Sequence, residues 1–121
     1  MPKPEIKRQH IEIDAAGIAV GRVATQAAMA LMGKNKPTYM PHIEAGDFVL
    51  VKNAGKLKFT GKKFVQKQFR HHSMHPGGLK EVSIKKVFEA DPGKVVRHAV
   101  NGMIPKNNRR ITIMKRLTVQ A

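Results

Sequence analysis

The N-terminal part of the chain carries, in order, the patterns of a strand, a helix and a second strand. Residues 10–14 alternate apolar and polar side chains, which is typical of a strand with one buried face. Across residues 20–32 the apolar positions recur at helical spacing, and Gly33 is a natural helix end. The apolar run at residues 48–51 predicts a strand covered on both faces. Two strands joined by one helix pair in parallel through a right-handed crossover, so this order predicts an α/β fold.

Weaker patterns follow the second strand. Leu57 and Phe59 alternate with lysines and predict another short, half-buried strand. Residues 62–79 are basic and histidine-containing, and they predict an irregular or extended arm. No repeat, low-complexity tract or linker divides the sequence, so we expect residues 1–121 to form a single domain with a basic arm at about residues 61–80.

Signals for helix ends are stronger in the last third of the chain. Ser83 predicts the N-cap of a short helix, and Asp91 followed by Pro92 predicts the start of another. Pro105 interrupts that helix, and residues 117–119 predict a final strand after a last basic segment.

Glycines and aromatic side chains give more specific expectations. Gly17 and Gly21 lie four residues apart near the start of the first helix and would let a strand or another backbone approach closely. Three phenylalanines are expected in the core: Phe48, Phe59 and Phe88. Phe64 and Phe69 lie beside lysine or arginine and are expected to be exposed for stacking on bases.

Positive charge is large and unevenly distributed. The chain has 23 Lys and Arg against 8 Asp and Glu, a formal net charge of +15. Residues 1–47 contain six basic and five acidic side chains, whereas residues 48–121 contain seventeen basic and three acidic ones. A surface built for solubility mixes the two signs. The segregated charge therefore predicts a binding surface for a polyanion.

The composition excludes several classes of protein. Cysteine is absent, so disulfides, cysteine-bound zinc and thiol catalysis are excluded together. The longest stretch without a charged side chain, residues 23–33, is far shorter than the roughly 20 residues that span a bilayer. Residues 1–5 have no apolar core behind their charge and do not resemble a secretory signal. We expect a cytoplasmic protein that contacts no membrane.

Catalytic and cofactor motifs are incomplete. Five residues, not four, separate Gly55 from Gly61, and Lys63 stands where a phosphate-binding loop needs Ser or Thr. The segment 61–65 resembles the RNA-recognition-motif consensus only weakly, because lysines replace its stacking aromatics. We therefore expect no cofactor and no small-molecule substrate.

A metal site and acid–base catalysis are also poorly supported. Three histidines lie close in sequence, but no nearby carboxylate or cysteine completes a metal shell: His71, His72 and His75. Three acids are the available general bases: Asp14, Glu44 and Asp47. Ser73 lies beside histidine but has no orienting acid. We expect neither a metal site nor an enzyme.

Five segments resemble one known family and follow that family's order along the chain. They are Ile13-Asp14-Ala15 with Gly21-Arg22-Val23-Ala24; Gly46-Asp47-Phe48-Val49 with Asn53-Ala54; Thr60-Gly61-Lys62-Lys63; His72-Ser73 with Pro76-Gly77-Gly78-Leu79; and residues 99–107 with the sequence AVNGMIPKN. Together they resemble the L-thirteen family of large-subunit ribosomal proteins, in its bacterial or organellar form. A tryptophan common near the family's N-terminus is absent, and the family's short tail rich in His and Pro has no counterpart after residues 117–119, so contacts of that tail are not carried over.

The resemblance implies a three-layer α/β/α sandwich around a small, mainly parallel sheet. It also implies a structural role in which the protein binds large-subunit ribosomal RNA early in assembly and meets neighbouring large-subunit ribosomal proteins in the cytoplasmic ribosome. Our candidate RNA-binding side chains are eleven cations and five hydrogen-bonding groups: Lys56, Lys62, Lys63, Lys67, Arg70, Lys80, Lys106, Arg109, Arg110, Lys115 and Arg116; His71, His72, Ser73, Asn107 and Asn108.

Two alternatives remain open at this point. A general nucleic-acid-binding or DNA-compacting protein would use the same positive charge without preference for RNA. A nucleotide-using enzyme would need the loop after the second strand to hold phosphate, and it would be stabilised by ATP or GTP.

Overall fold

The computed structural model describes residues 7–37, 39–40 and 45–121. Its strands, in chain order, are β1 (His10–Asp14), β2 (Phe48–Lys52), β3 (Gln68–His72), β4 (Leu79–Ser83) and β5 (Leu117–Val119). Its α-helices are α1 (Val20–Met32), α2 (Lys63–Gln66), α3 (Ile84–Ala90), α4 (Pro92–Met103) and α5 (Arg109–Met114), and Ala54–Lys56 forms one 3-10 turn.

The central sheet has three parallel strands in the order β1-β2-β5. His10 pairs with Phe48 and Leu50 with Thr118, so β2 lies in the middle as its apolar run requires. The α1 helix contacts β1 and β2, α4 contacts β5, and the two helices pack against each other. The predicted α/β fold with a small parallel sheet is confirmed.

The apolar core lies on one face of this sheet. Ile13, Val49, Val51 and Leu117 are buried in one cluster with apolar residues of α1, α4 and α5. The side chains that alternate with them project to the opposite face, where His10, Glu12, Phe48 and Thr118 are exposed. The prediction of Phe48 as a core residue is wrong. Its ring is 40% exposed and stacks on His10, with 5.0 Å between ring centroids.

The α1 helix ends as its sequence predicts. Gly33 adopts a left-handed backbone (φ 77°), and its N–H donates to the carbonyl of Met29 at 3.0 Å. The Lys34 N–H also donates to Met29, at 3.1 Å. These two bonds satisfy a carbonyl that the end of a helix would otherwise leave without a partner.

The region expected to be an irregular arm is more regular than predicted. Residues 63–66 form α2, and β3 and β4 pair antiparallel as a hairpin. Pro76 and Gly77 form the tip of its turn, where Gly77 has φ 71° and the Gly78 N–H donates to the carbonyl of His75 at 2.9 Å. Pro followed by Gly at the two central positions is the type II arrangement. A Cβ at Gly78 would lie 2.9 Å from the His75 carbonyl oxygen and would collide with the Ser73 hydroxyl, so the turn favours glycine there.

Both helix N-caps are confirmed. The Ser83 hydroxyl accepts from the Lys86 N–H at 3.3 Å, and the Asp91 carboxylate accepts from the Gly93 N–H at 3.1 Å with Pro92 as the first helical residue. The strand predicted at Leu57 and Phe59 is wrong. Only one isolated bridge, between Ala19 and Lys58, forms there, because the 3-10 turn brings this segment against the start of α1 rather than against a strand.

Within the described ranges, none of the helices is both long and apolar enough to cross a membrane.

Candidate nucleic-acid interface

A cluster of phenylalanines holds the basic helix α2 against the core. The Phe64 ring lies 5.0 Å from Phe59 and 5.7 Å from Phe88, and the last two rings meet edge-to-face at 5.2 Å. Phe59 and Phe88 are half-buried and pack on the main core, close to their predicted role. The prediction of Phe64 as an exposed base-stacking ring is wrong, because its ring is half-buried in this cluster. The apolar side of α2 is thereby fixed while its lysines stay outside.

The first basic surface is a groove along α2, which we call the α2 groove. Its volume is about 510 Å3, and it is lined by Thr60, Gly61, Lys62, Lys63, Gln66 and Lys67. The three lysines were predicted as RNA-binding residues, and all three side chains are exposed. None of the described residues that line this groove is acidic. The α2 groove is therefore a concave site of one sign, which attracts phosphate.

The hairpin carries the next group of candidates, all exposed: Arg70, His71, His72, Ser73 and Lys80. The register pairs Arg70 with Glu81 and His71 with Lys80. The Arg70 Nε lies 3.2 Å from the Glu81 carboxylate, so the hairpin is less uniformly basic than the run of cations suggests. Nδ1 of His72 accepts from the Met74 N–H at 3.0 Å, so Nε2 is the ring nitrogen that is not used in this turn.

A second basic surface, the α4–α5 groove, lies between the last two helices. Its volume is about 600 Å3, and its polar lining consists of Arg97, Asn101, Arg110 and Lys115. Arg110 and Lys115 were predicted, whereas Arg97 and Asn101 were missed. The periodicity of α4 contained the signal, because Val96 and Val100 are buried one helical turn apart and Arg97 and Asn101 follow them on the outer face.

The other predicted side chains lie outside the two grooves. Lys56, Lys106, Asn108 and Arg109 are exposed. The Asn107 side-chain oxygen accepts from the Arg109 N–H at 3.0 Å and so helps to begin α5, although the residue is also exposed.

Arg116 differs from the other candidates and is a correction. The residue is only 8% exposed, and its Nη2 donates to the carbonyl of Leu31 near the end of α1 at 3.0 Å. A guanidinium at a helix C-terminus interacts favourably with the helix dipole and with free carbonyls. Arg116 therefore acts as a structural residue inside the fold and does not belong to the exposed surface.

A buried polar cluster next to Arg116 contains the second unexpected charge. Asp47 is 1% exposed and lies 2.7 Å from the Lys36 ammonium, while its Oδ1 also accepts from the Gln9 N–H at 3.0 Å. Burial raises the pKa of Asp47, but the Lys36 and Gln9 hydrogen bonds and the charges of Lys36 and Arg8 outweigh it, so the pKa lies below its ordinary value. Asp47 is thus a structural anion.

Asp14 has a similar structural role in a turn. Its Oδ1 accepts from the Asn53 side chain at 3.0 Å and from the Ala16 N–H at 3.0 Å. These two bonds, in that order, lower the pKa of Asp14. The third candidate general base, Glu44, lies outside the described residues. Across residues 7–37, 39–40 and 45–121, no three His, Cys, Asp or Glu side chains are grouped so that they would hold a metal ion.

Comparison with known proteins identifies the family. A family model described as ribosomal protein L13 matches residues 8–121 of this chain. The chain belongs to the ribosomal protein L13 family. A relative from Thermoanaerobacter sp. (strain X514), named large ribosomal subunit protein uL13, is 50% identical over 120 residues, which cover 98% of this chain and 84% of that protein.

Two further relatives of the ribosomal protein L13 family carry the same name, large ribosomal subunit protein uL13. The one from Clostridioides difficile (strain 630) is 46% identical over 117 residues, which cover 97% of this chain and 82% of that protein. The one from Nocardia farcinica (strain IFM 10152) is 48% identical over 117 residues, which cover 97% of this chain and 80% of that protein. The resemblance identified from the sequence is confirmed. The L13 family is structural rather than enzymatic, which agrees with the incomplete catalytic motifs.

Proposed function

We propose that this chain is a structural component of the large subunit of the cytoplasmic ribosome, which binds large-subunit ribosomal RNA through the α2 groove, the hairpin and the α4–α5 groove. The chain is an L13-family ribosomal protein, and the relatives named above are large-subunit proteins. The observation that carries the assignment to these surfaces is their charge, since the described residues that line the two grooves include six lysines and arginines and no acid. Contacts with neighbouring large-subunit proteins belong to the same proposal.

The mechanism is electrostatic attachment to a rigid scaffold. Lysines and arginines in the grooves neutralise phosphates and release counterions, which supplies most of the binding free energy. Folded RNA is recognised largely by shape and by contacts with phosphate and 2′-hydroxyl groups. The exposed His71, His72, Ser73 and Asn108 have side chains of the right kind for the hydroxyl contacts.

Salt dependence tests this proposal. If about eight phosphates are contacted, a plot of log Kd against log salt for an isolated large-subunit ribosomal RNA fragment has a slope of about 6 to 7 in magnitude. A slope near zero would contradict the mechanism. Random duplex DNA of equal length, measured at the same salt, is expected to bind more weakly. Equal affinity for the two would favour a general nucleic-acid-binding protein instead.

A matched pair of triple variants tests the α2 groove. Lys62→Gln, Lys63→Gln and Lys67→Gln together remove three positive charges from the groove, and we expect the slope to fall by about 2 to 3. The control removes three charges elsewhere, through Lys34→Gln, Lys85→Gln and Lys86→Gln, all at exposed positions outside both grooves. Equal slopes for the two triple variants would show that net charge alone, and not the groove, determines binding.

A further inference from the structure

A cavity of about 320 Å3 lies between the start of α1, residues 58–60, the hairpin and α4. Its volume is at the lower end of the range for small-ligand pockets, which is roughly 300 to 1,000 Å3. The two surfaces described above are open grooves of basic side chains, whereas this cavity reaches down to the buried Ile84 and Val95, which are 3% and 2% exposed. None of the functional assignments above uses it.

One wall of the cavity is formed by a pair of aromatic rings. Phe69 of β3 and His98 of α4 both line it, with their ring centroids 4.3 Å apart and their planes at 34°. Phe69 is half-buried in this contact, so the expectation of a freely exposed base-stacking ring is corrected to a ring in the wall of a cavity. Aromatic rings and apolar side chains of this kind form the usual contact for one face of a nucleobase.

The rim of the cavity is positively charged, in contrast to its apolar interior. Lys58, Lys63 and Lys67 line it and are exposed, and among the described residues no acidic side chain lines it. Lys63 and Lys67 also line the α2 groove, so the cavity opens beside a surface already assigned to phosphate. Charge complementarity therefore favours an occupant that combines a flat apolar part with a phosphate.

Gly21 of α1 lines the cavity without a side chain. The expected close approach of another backbone at Gly21 is not found, because a Cβ built there meets nothing within 4 Å. Glycine inside a helix destabilises it by roughly 0.5 to 1 kcal/mol relative to alanine. Packing does not require glycine at this position, which lines the cavity. A larger residue at this position would therefore add apolar volume to the lining of the cavity without a clash.

We infer that this cavity accepts one unstacked nucleotide of large-subunit ribosomal RNA. The base lies against the Phe69 and His98 wall, and its phosphate lies toward Lys58, Lys63 and Lys67. Single-stranded loops and bulges present such splayed bases, and proteins recognise them by stacking. This inference rests on the proposed RNA-binding function and adds to it a contact with a base, which counterion release alone does not provide.

The test fills the cavity without removing a charge. Gly21→Leu adds an apolar side chain in the cavity, and Gly102→Leu adds the same side chain at another exposed helical glycine where a Cβ also meets nothing within 4 Å. Gly102 does not line the cavity. We expect Gly21→Leu to weaken binding of an in vitro transcribed large-subunit ribosomal RNA by about tenfold or more, the effect of losing one stacked base. Gly102→Leu is expected to bind within about twofold of the unmodified protein.

The readouts separate failure of the inference from failure of the proposed function. Gly102→Leu is expected to keep the salt slope of the unmodified protein, and Gly21→Leu to lower it by no more than about one, because no cation is removed and at most the phosphate of one nucleotide is displaced. If the unmodified protein binds with a steep slope and the two leucine variants bind equally well, the inference on the cavity is wrong and the proposed function stands. If the unmodified protein shows no salt-dependent binding to the RNA, the proposed function itself is wrong.

A crosslinking experiment supplies a direct readout. RNA containing 4-thiouridine is irradiated in complex with each protein, and the crosslinked peptides are identified by mass spectrometry. A crosslink to a peptide containing Phe69 is expected with the unmodified protein and Gly102→Leu, and its loss is expected with Gly21→Leu. Should Gly21→Leu fail to fold by circular dichroism, Ala99→Leu enlarges a side chain of α4 that lines the same cavity and does not line the α2 groove. Unchanged RNA affinity of that folded variant would equally overturn the inference.

Discussion

At the scale of single residues, two charged side chains are buried and structural, although charged residues usually lie on the surface. Arg116 and Asp47 are each less than one-tenth exposed. The Arg116 guanidinium donates to the Leu31 carbonyl near the end of α1, and the Asp47 carboxylate binds the Lys36 ammonium and the Gln9 N–H. The Asp47 N–H itself donates to the carbonyl of Ala30 at 3.0 Å. Between them, Gly46 lies so close to the Leu31 carbonyl that any side chain would collide with it. The sequence places Arg116 in a basic run, and only the packing reveals that it is internal.

The loss of stability caused by replacing the buried Asp47 carboxylate is expected to depend on pH. The pKa of Asp47 is lower in the folded chain than its ordinary value of 3.8, so its ionised form stabilises the fold. That contribution is complete above about pH 5 and is lost as the pH falls through 3.8 toward the lowered pKa. We expect Asp47→Asn to lower the free energy of unfolding by about 3 kcal/mol at pH 7, because it leaves Lys36 without its buried partner.

Urea unfolding at pH 7 and pH 3 measures this effect. The difference between Asp47→Asn and the unmodified protein is expected to shrink at pH 3. Glu12→Gln is the control, since its 2.9 Å pair with Lys52 is largely exposed and such pairs contribute about 0 to 1 kcal/mol. A difference for Asp47→Asn that is equal at the two pH values would exclude the ionised carboxylate as its source.

At the scale of elements, the position of α2 depends on one ring. The helix is only four residues long and has no buried residue, so it lacks the length to be stable on its own. Phe64, packed against Phe59 and Phe88, is its attachment to the core. We expect Phe64→Ala to weaken RNA binding although it removes no charge, because the lysines of the α2 groove lose their fixed positions.

The matched control for this variant is Phe48→Ala. It also removes a phenyl ring, but one that is exposed and stacked on His10 away from the α2 groove. Phe64→Ala is expected to lower the free energy of unfolding by about 2 kcal/mol, less than a fully buried ring would, and to weaken RNA binding several-fold. Phe48→Ala is expected to bind RNA as tightly as the unmodified protein. Equal affinity of the two variants would show that α2 does not need its ring to present the lysines.

The sequence predicts the elements whose signals are local. Alternation at residues 10–14, the Gly33 end of α1 and the caps at Ser83 and Asp91 depend on neighbouring residues, and all were predicted correctly. The errors concern contacts between distant segments. Phe48 lies in an apolar run, yet alternation sends its ring to the exposed face of the sheet. The hairpin of residues 68–83 depends on pairs between its two strands, such as Phe69 with Val82, which the pattern of either strand alone does not predict.

In the candidate site, too, residues with a local sequence signal were predicted and those brought together by the tertiary fold were not. Exposed lysines such as Lys62 and Lys67 were found because charge runs are visible in a sequence. Arg97 and Asn101 were missed, although helical periodicity separates them from the valines of α4. The cavity beside α1 was not foreseen, because Gly21, Phe69 and His98 lie on three separate elements and only the tertiary fold brings them together.

At the scale of the whole molecule, the charge is balanced within the scaffold and unbalanced outside it. The buried Asp47 is paired with Lys36, and the more exposed Glu12 is paired with Lys52, so these two carboxylates each have a cationic partner. Residues 48–121 contain seventeen basic side chains but only three acidic ones. A net charge of +15 on so small a protein repels itself unless a polyanion is bound.

This imbalance predicts how the protein behaves in a cell extract. A tagged copy of the full chain is expected to sediment with the large ribosomal subunit and to stay there through a high-salt wash, since many phosphate contacts must be lost together for release. The variant with Lys62, Lys63 and Lys67 replaced by Gln is expected to leave the subunit at lower salt than the variant with Lys34, Lys85 and Lys86 replaced by Gln. Both carry the same net charge, so the difference reports where the cations lie. Unmodified protein found free at the top of the gradient would contradict the ribosomal assignment, and equal release of the two variants would contradict the role of the α2 groove.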